Sequence, residues 1–389
     1  MNLIHTTEHS GKLQDPYRFH LMIIRIMSVC WLLQKLISRK LWLTNRALPL
    51  LEFHPSLTHF PESLHLPLWI ASMVFLSCLI VFPDSRKLMT LLILTECLSC
   101  LPDQNRWQPW EYQFLTMLFI YRFSRKENEK ATAWLIILTA ALYMWSGISK
   151  LNPMFAHNVW KQQILEAFLH LNVSTRSSIP MTLTGYVPGL YETIAGIGLL
   201  FSSTRRFSAH LLLAMHLFIL AFIGPLGMQH NIIVWPWNLA MMGILFLLRD
   251  NAFQFQGKPF WKPGKFTIVL CVLWGVLPLL SYVNLWDRYL SARLYSGTTP
   301  RVIICTSMAV QKTSAVITPL QSDSSYPCKP ERMISLNKWA LEELKVPVYP
   351  EERVFRLLKK KLQLQHPHEQ FDFYIANPIR HDSVIWIPF

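Results

Sequence analysis

The sequence predicts an all-α polytopic membrane protein, with about nine transmembrane helices followed by a small α+β extracytoplasmic C-terminal domain. Three observations carry that reading. Hydrophobic residues make up 52% of the 389-residue chain against 15% charged ones, with a mean hydropathy of +0.26; soluble domains carry about 25% charged residues. Apolar runs of near-spanning length recur between residues 20 and 286. Beyond residue 288 the composition shifts to Ser, Thr, Pro and charge. The chain therefore divides into a cytoplasmic N-terminal segment (1–19), a membrane domain (20–288) and an extracytoplasmic domain (289–389). The same composition excludes a disordered chain, a fibre and a small disulfide scaffold, because seven Cys spread over this length make no framework. A net charge of +14 calls for an anionic partner, which for so apolar a chain is the bilayer surface rather than nucleic acid. No nucleic-acid module and no Gly-rich phosphate loop is present.

Taken in order, the spans cover residues 20–37, 66–83, 87–101, 112–123, 131–149, 184–202, 207–223, 231–248 and 266–286. The first is weakened by Arg25 and Lys35, and the fourth is short unless Trp107 to Glu111 extend it. The N-terminus lacks a basic region followed by a cleavage site, so the first span is expected to remain as an anchor. Alternate loops carry twelve Lys and Arg, among them Arg86, Lys87, Arg122, Arg205, Arg206 and Arg249, against seven in the intervening loops. Cytoplasmic loops hold the basic excess, which places the N-terminus inside and the C-terminal domain outside. In that domain residues 301–306 and 371–375 read as strands, and 336–345 and 351–364 as helices. The basic run Arg356 to Leu362 reads as a solvated helix face or as one lying on lipid.

Ionisable groups at the bilayer centre cost about 2.5–3.5 kcal/mol each on insertion scales, so their positions are informative. With a helical rise of about 1.5 Å per residue, Glu96, Glu192, His216 and Asn238 fall near the middle or in the outer half of their spans. Asp103, Arg106, Lys150, Asn152, His230 and Asn231 fall at the outer mouth. Trp107, Trp110, Tyr112, Tyr143, Trp145, Trp160, Trp235 and Trp237 share that level. This convergence predicts one polar cavity opening away from the cytoplasm. The plainer alternatives are an interfacial aromatic belt, a snorkelling Lys150 and a structural Glu192–His216 pair. Cys97-Leu-Ser-Cys100 reads as a redox pair or as two packed thiols, and Cys305 and Cys328 can bridge in an oxidising compartment. No cluster has zinc-site spacing, the His366-Pro-His368 pair being too sparse, and no metal is predicted. A glycosylation-type triplet, Asn172-Val-Ser174, falls on the outer side.

Two stretches are more specific: residues 103–112, Asp103-Gln-Asn-Arg-Trp-Gln-Pro-Trp-Glu-Tyr112, and residues 143–152, Tyr143-Met-Trp-Ser-Gly-Ile-Ser-Lys-Leu-Asn152. With Ala214-Met-His216 and Asn231-Ile-Ile-Val-Trp-Pro-Trp-Asn238, they resemble the horizontally transferred transmembrane domain. That is the membrane part of vitamin K-dependent gamma-carboxylases and their bacterial relatives, and the resemblance covers residues 20–286. It implies nine spans, a lumenal or periplasmic site, and a lysine that deprotonates a reduced, vitamin K-like quinone; Lys150 matches that lysine. Where the carboxylases have Trp-Asn-Asn-His-Ser-Tyr, this chain has Trp107-Gln-Pro-Trp-Glu-Tyr112, so Trp110 replaces their histidine.

The expected function is an outward-facing cavity for a quinone or another lipid-soluble molecule, in a protein of the bacterial inner membrane. Lys150 is the expected base, made neutral by an apolar wall that includes Tyr143 and Trp145, with His216 and Glu192 polarising or relaying protons. The expected ligand-binding residues are Asp103, Arg106, Trp107, Trp110, Tyr112, Trp145, Asn152, Asn231, Trp235 and Asn238. Asp103 and Arg106 are expected to position a loop over the cavity. The rival is a non-catalytic scaffold whose outer domain binds a partner and whose cavity volume is filled by side chains. A solute carrier is disfavoured by the lack of an inverted repeat.

Overall fold

A computed structural model describes residues 16–124, 127–171, 183–224, 226–228, 231–250, 264–307, 327–329, 332–380 and 383–389. His230 and the Asn172 triplet lie outside the described residues. The chain is mainly helical. The helices are α1 (Pro16–Ile37), α2 (His65–Val81), α3 (Arg86–Cys100), α4 (Pro109–Phe123), α5 (Asn128–Lys150), α6 (Phe155–Phe168), α7 (Val187–Gly198), α8 (Ser202–Ile223), α9 (Val234–Asp250) and α10 (Lys265–Val283). Five stretches, Tyr17–Ile37, Glu62–Val81, Asn128–Lys150, Ser202–Ile223 and Lys265–Val283, are long and apolar enough to cross a membrane. Each of the nine predicted spans contains helix. Large apolar side chains such as Ile70, Val74, Leu94, Ile194, Leu217 and Val276 point outward, as a lipid-facing surface requires.

Local sequence sets the helix starts. Pro109 occupies the first turn of α4, where a missing N–H costs nothing, and the Ser85 hydroxyl accepts from the Leu88 amide to cap α3. α6, a π-helix, was not anticipated; its polar side chains His157, Asn158, Lys161, Gln162 and Gln163 hide any apolar period. Asn152 begins it: Oδ1 accepts from the Phe155 amide at 3.0 Å and Nδ2 donates to the Ser296 carbonyl at 2.9 Å.

The C-terminal unit is an antiparallel sheet in the order β2-β1-β3-β4, with β1 Val302–Thr306, β2 Met333–Ser335, β3 Phe371–Arg380 and β4 Ser383–Pro388. Two helices, α11 (Leu336–Leu344) and α12 (Glu352–Gln365), pack on it. Side chains alternate: Val302 and Ile304 join the core with Phe355, Leu358 and Phe373, while Ile303 and Cys305 face the other side with Met333. β2 is too short to show alternation in sequence. β3 runs past its expected end at Ile375 because β1 pairs only as far as that residue, so Pro378 meets β4 on one side alone. The basic run on α12 presents Arg356 and Lys360 to solvent and turns Lys359 and Lys361 onto the protein. Lys361 pairs with Glu52, Lys359 donates to the Phe389 carbonyl, and Leu358 and Leu362 are buried.

Cys305 and Cys328 form a disulfide, whereas Cys97 and Cys100 are unbridged thiols. The bridge closes a loop of 23 residues in sequence. Replacing both Cys by Ala is expected to destabilise the C-terminal unit by about 2–4 kcal/mol. Limited proteolysis of the two proteins across a urea series reads this.

The loops after α1, α3 and α5 and before α9 all meet the C-terminal unit. Glu343 accepts from the Ala47 and Leu48 amides, Asn105 accepts from the Tyr349 amide, Gln108 donates to the Pro347 carbonyl, and Asn231 donates to Tyr295. At the other end Tyr17 reaches Asp84, His20 reaches the Asn128 carbonyl and Arg122 reaches Thr90. Arg86, Arg122, Arg205 and Arg249 sit near helix termini.

Candidate functional site

α5 and α7 approach closely because small residues line their contact. A Cβ added to Gly147 would lie 2.6 Å from the Gly189 carbonyl, and one added to Gly196 would lie 2.8 Å from the Met144 nitrogen. This approach brings Lys150, the last residue of α5, onto the Glu192 carboxylate as an ion pair. Lys150 Nζ also donates to Ser146 Oγ at 2.7 Å.

His216 on α8 is held from both sides: Tyr143 Oη lies 2.6 Å from its Nε2, and Asn238 Oδ1 lies 2.7 Å from its Nδ1. Asn238 Nδ2 donates to the Val234 carbonyl at 2.7 Å, which turns Oδ1 toward the ring. The Nδ1 proton is therefore donated to Asn238, leaving Nε2 to accept from the Tyr143 hydroxyl.

Both groups face one cavity of about 510 Å³. Its remaining wall is mostly apolar and aromatic, with Trp160 and Tyr191 on one side, Phe218 and Phe222 on another, and Trp237 beneath. A recess of about 700 Å³ adjoins it toward the C-terminal unit, sharing Leu294, Tyr295, Thr299 and Asn337 with it. Burial pushes the Tyr295 phenol up to about 12, opposed by its bond from Asn231, so it stays neutral in the working range.

Of the predicted site residues, Lys150, Glu192, His216 and Asn238 converge on this cavity, and the others do not line it. Asn231 lines the recess instead, bonded to Tyr295 at 2.6 Å. Asn152 caps α6, and the Trp145 indole donates to the Gly275 carbonyl at 3.2 Å, away from Lys150. Tyr112 stacks on Trp274 at 4.6 Å, Trp107 packs on Phe53, and Trp235 packs near Gly224.

The single polar cavity expected from sequence is in fact two separate polar clusters. The second lines neither of these two chambers. Lys35 Nζ lies 2.5 Å from Glu96 Oε2, 3.9 Å from Glu111 Oε1 and 3.2 Å from the Trp42 ring centre. Ser72 donates to Glu96, and the Trp31 indole donates to Glu111 at 2.7 Å. Beside it Asp103 pairs with Arg46 at 2.5 Å and lies 4.0 Å from Arg106. Arg106 positions no loop over the cavity. It satisfies the terminal carbonyls of Leu41, Trp42 and Ser99 at 3.0, 2.9 and 2.6 Å. Trp110 is buried edge-on against Trp42 at 6.4 Å in the same region.

Tyr143, expected only as a wall, is a hydrogen-bonding member of the site, and Trp160, Tyr191 and Trp237 complete it. A weak sequence signal existed for the α5–α7 seam. Gly189 and Gly196 are seven residues apart, hence on one helix face, with Glu192 between them. Compared with family models, with curated proteins and with solved structures, the chain matches none of them.

Proposed function

We propose that this chain is a nine-span membrane protein whose cavity binds a quinone or another lipid-soluble molecule and moves a proton to or from it. In this reading the N-terminus is cytoplasmic and the disulfide-bonded C-terminal unit lies in the periplasm, with the chain in a bacterial inner membrane. The observation that carries the proposal is the open volume beside Lys150, which a scaffold would fill with side chains. Its size falls within the range of about 300–1,000 Å³ typical of small-molecule sites.

The wall suits a quinone: aromatic faces for a ring, and Lys150 as a donor to a carbonyl. When bound, such a group supplies reversible two-electron, two-proton chemistry. The protein's own part is proton handling. Lys150 Nζ donates to the Glu192 carboxylate, so a proton can move between the two along that hydrogen bond as one is taken from or given to a ligand. That transfer leaves the net charge of the cavity unchanged. The ordered Tyr143–His216–Asn238 chain orients a second donor. Lys150 stands where the carboxylases that the sequence resembles carry their base, but Trp110, in place of their histidine, lies outside the cavity. We therefore favour proton transfer without carboxylation.

Lipids and quinones extracted from detergent-purified protein and identified by mass spectrometry test this. The wild type is expected to carry a specific ligand, reduced at least about tenfold in Lys150→Ala, the loss anticipated for one charged hydrogen bond. A Lys150→Met/Glu192→Gln protein, which leaves no unpaired charge, serves as the folded control. No ligand in wild type, or equal ligand in all three, would favour the scaffold.

A further inference from the structure

The adjoining recess indicates which lipid-soluble molecules suit the cavity, given that the cavity binds a ligand at all. The inner chamber is walled by Met215, Phe218, Ile219 and Phe222 on α8, and the lining residues Phe218 and Met228 are 39% and 44% exposed. The outer chamber is built largely by α11 and the loop 289–299, and its charged groups are Lys338, Lys345 and Glu342. Arg301 lies on the wall of the inner chamber close to the residues that the two share. Three cations against one carboxylate make the mouth electropositive. Among the described residues, neither Arg301 nor Lys345 has a side-chain hydrogen bond or ion pair.

The junction is also unusual. Asn231 and Tyr295, bonded to each other, both adopt left-handed backbone, at φ 52° and 56°. For a tyrosine that conformation costs about 1–3 kcal/mol and persists only where the surroundings impose it. Asn231 Oδ1 is buried there without a donor, although an unmet buried acceptor is costly.

We infer that the ligand is a single-chain amphipath bearing an anionic head. Its apolar chain occupies the inner chamber and its head lies in the recess among Arg301, Lys338 and Lys345. The C-terminal unit is then part of the binding site, supplying most of the recess wall. A plain quinone lacks such a head.

The test titrates full-length protein, held in nanodiscs of neutral phosphatidylcholine, with oleoyl lysophosphatidic acid and with oleoyl monoacylglycerol. The two share chain and hydroxyl and differ in the phosphate. Lysophosphatidic acid is expected to bind at least about tenfold tighter at low ionic strength, with the preference shrinking as salt is raised. In Arg301→Gln/Lys345→Asn it should fall to about threefold or less; Asn is chosen because Lys345 occupies a left-handed helix cap, at φ 62°. Glycerol phosphate without a chain should not compete at concentrations that saturate the lipid. Equal binding of the two lipids, or an unchanged preference in the variant, overturns the anionic head while leaving the cavity reading intact. Competition by glycerol phosphate alone overturns the amphipath. Binding of neither lipid, with no ligand in wild-type extracts, overturns both readings together.

Discussion

Lys35→Met is expected to destabilise the protein by about 3–5 kcal/mol, one of the largest single-residue effects in the chain. Lys35 is fully buried, and so are both carboxylates it serves, Glu96 and Glu111. With Arg46, Arg106 and Asp103 they form a packed network of three cations and three anions. Removing one cation leaves an excess negative charge on carboxylates whose side chains are wholly shielded from solvent. The cost thus arises from the abandoned partners more than from the lost bond. The double variant Lys35→Met/Glu96→Leu keeps two of each sign, and it should recover most of the loss although it has fewer polar contacts than either single variant. Thermal unfolding in detergent, read by intrinsic fluorescence, follows this. A Lys35→Met protein within about 1 kcal/mol of wild type would show that water or a proton compensates the network. It would also show that Lys35 is no anchor of the bundle.

The same network explains what the sequence could and could not disclose. Depth was readable, because a helix of known rise fixes how far each polar residue lies from the end of its span. Lys150, Glu192, His216 and Asn238 were found on that basis, and the structure brings them to one cavity. Azimuth was not readable: Glu96 and Glu192 share a level but lie on helices that never meet around one space. Lys35 weakened its span in a hydropathy reading, since a scale cannot register that Glu96 and the Trp42 ring await it. The residues 103–112 pointed to ligand binding and proved to be a dock. Gln104, Asn105 and Gln108 hold Arg353, Tyr349 and Pro347 of the C-terminal unit, contacts made across more than two hundred residues of sequence. A periodic pattern can report one helix's faces, whereas it carries nothing about which distant segment covers them. Of the C-terminal unit both helices and strands β1 and β3, being local patterns, were legible; β2 was missed because three residues hold no period, and β4 was not anticipated either.

Substituting Gly147 by Val should disable the cavity without touching a group that lines it. Any side chain there meets the backbone of α7: a Cβ would sit 2.5 Å from the Thr193 nitrogen and 2.6 Å from the Gly189 carbonyl. Backbone in a packed helix cannot give by such amounts, so α5 and α7 must separate, at a cost of about 1–3 kcal/mol or more. Lys150 lies one turn beyond Gly147, and Glu192 lies beside Thr193, so separation parts the ion pair directly. The expected result is a protein that still folds, with a lowered melting temperature and a co-purifying ligand depleted as strongly as in Lys150→Ala. Gly275→Ala is the matched control, because a Cβ at that glycine meets nothing within 4 Å. It should leave both stability and ligand content near wild type. If Gly147→Val lowered stability yet kept its full ligand content, the close α5–α7 seam would serve the bundle alone. The Lys150–Glu192 pair would then not be what holds the ligand.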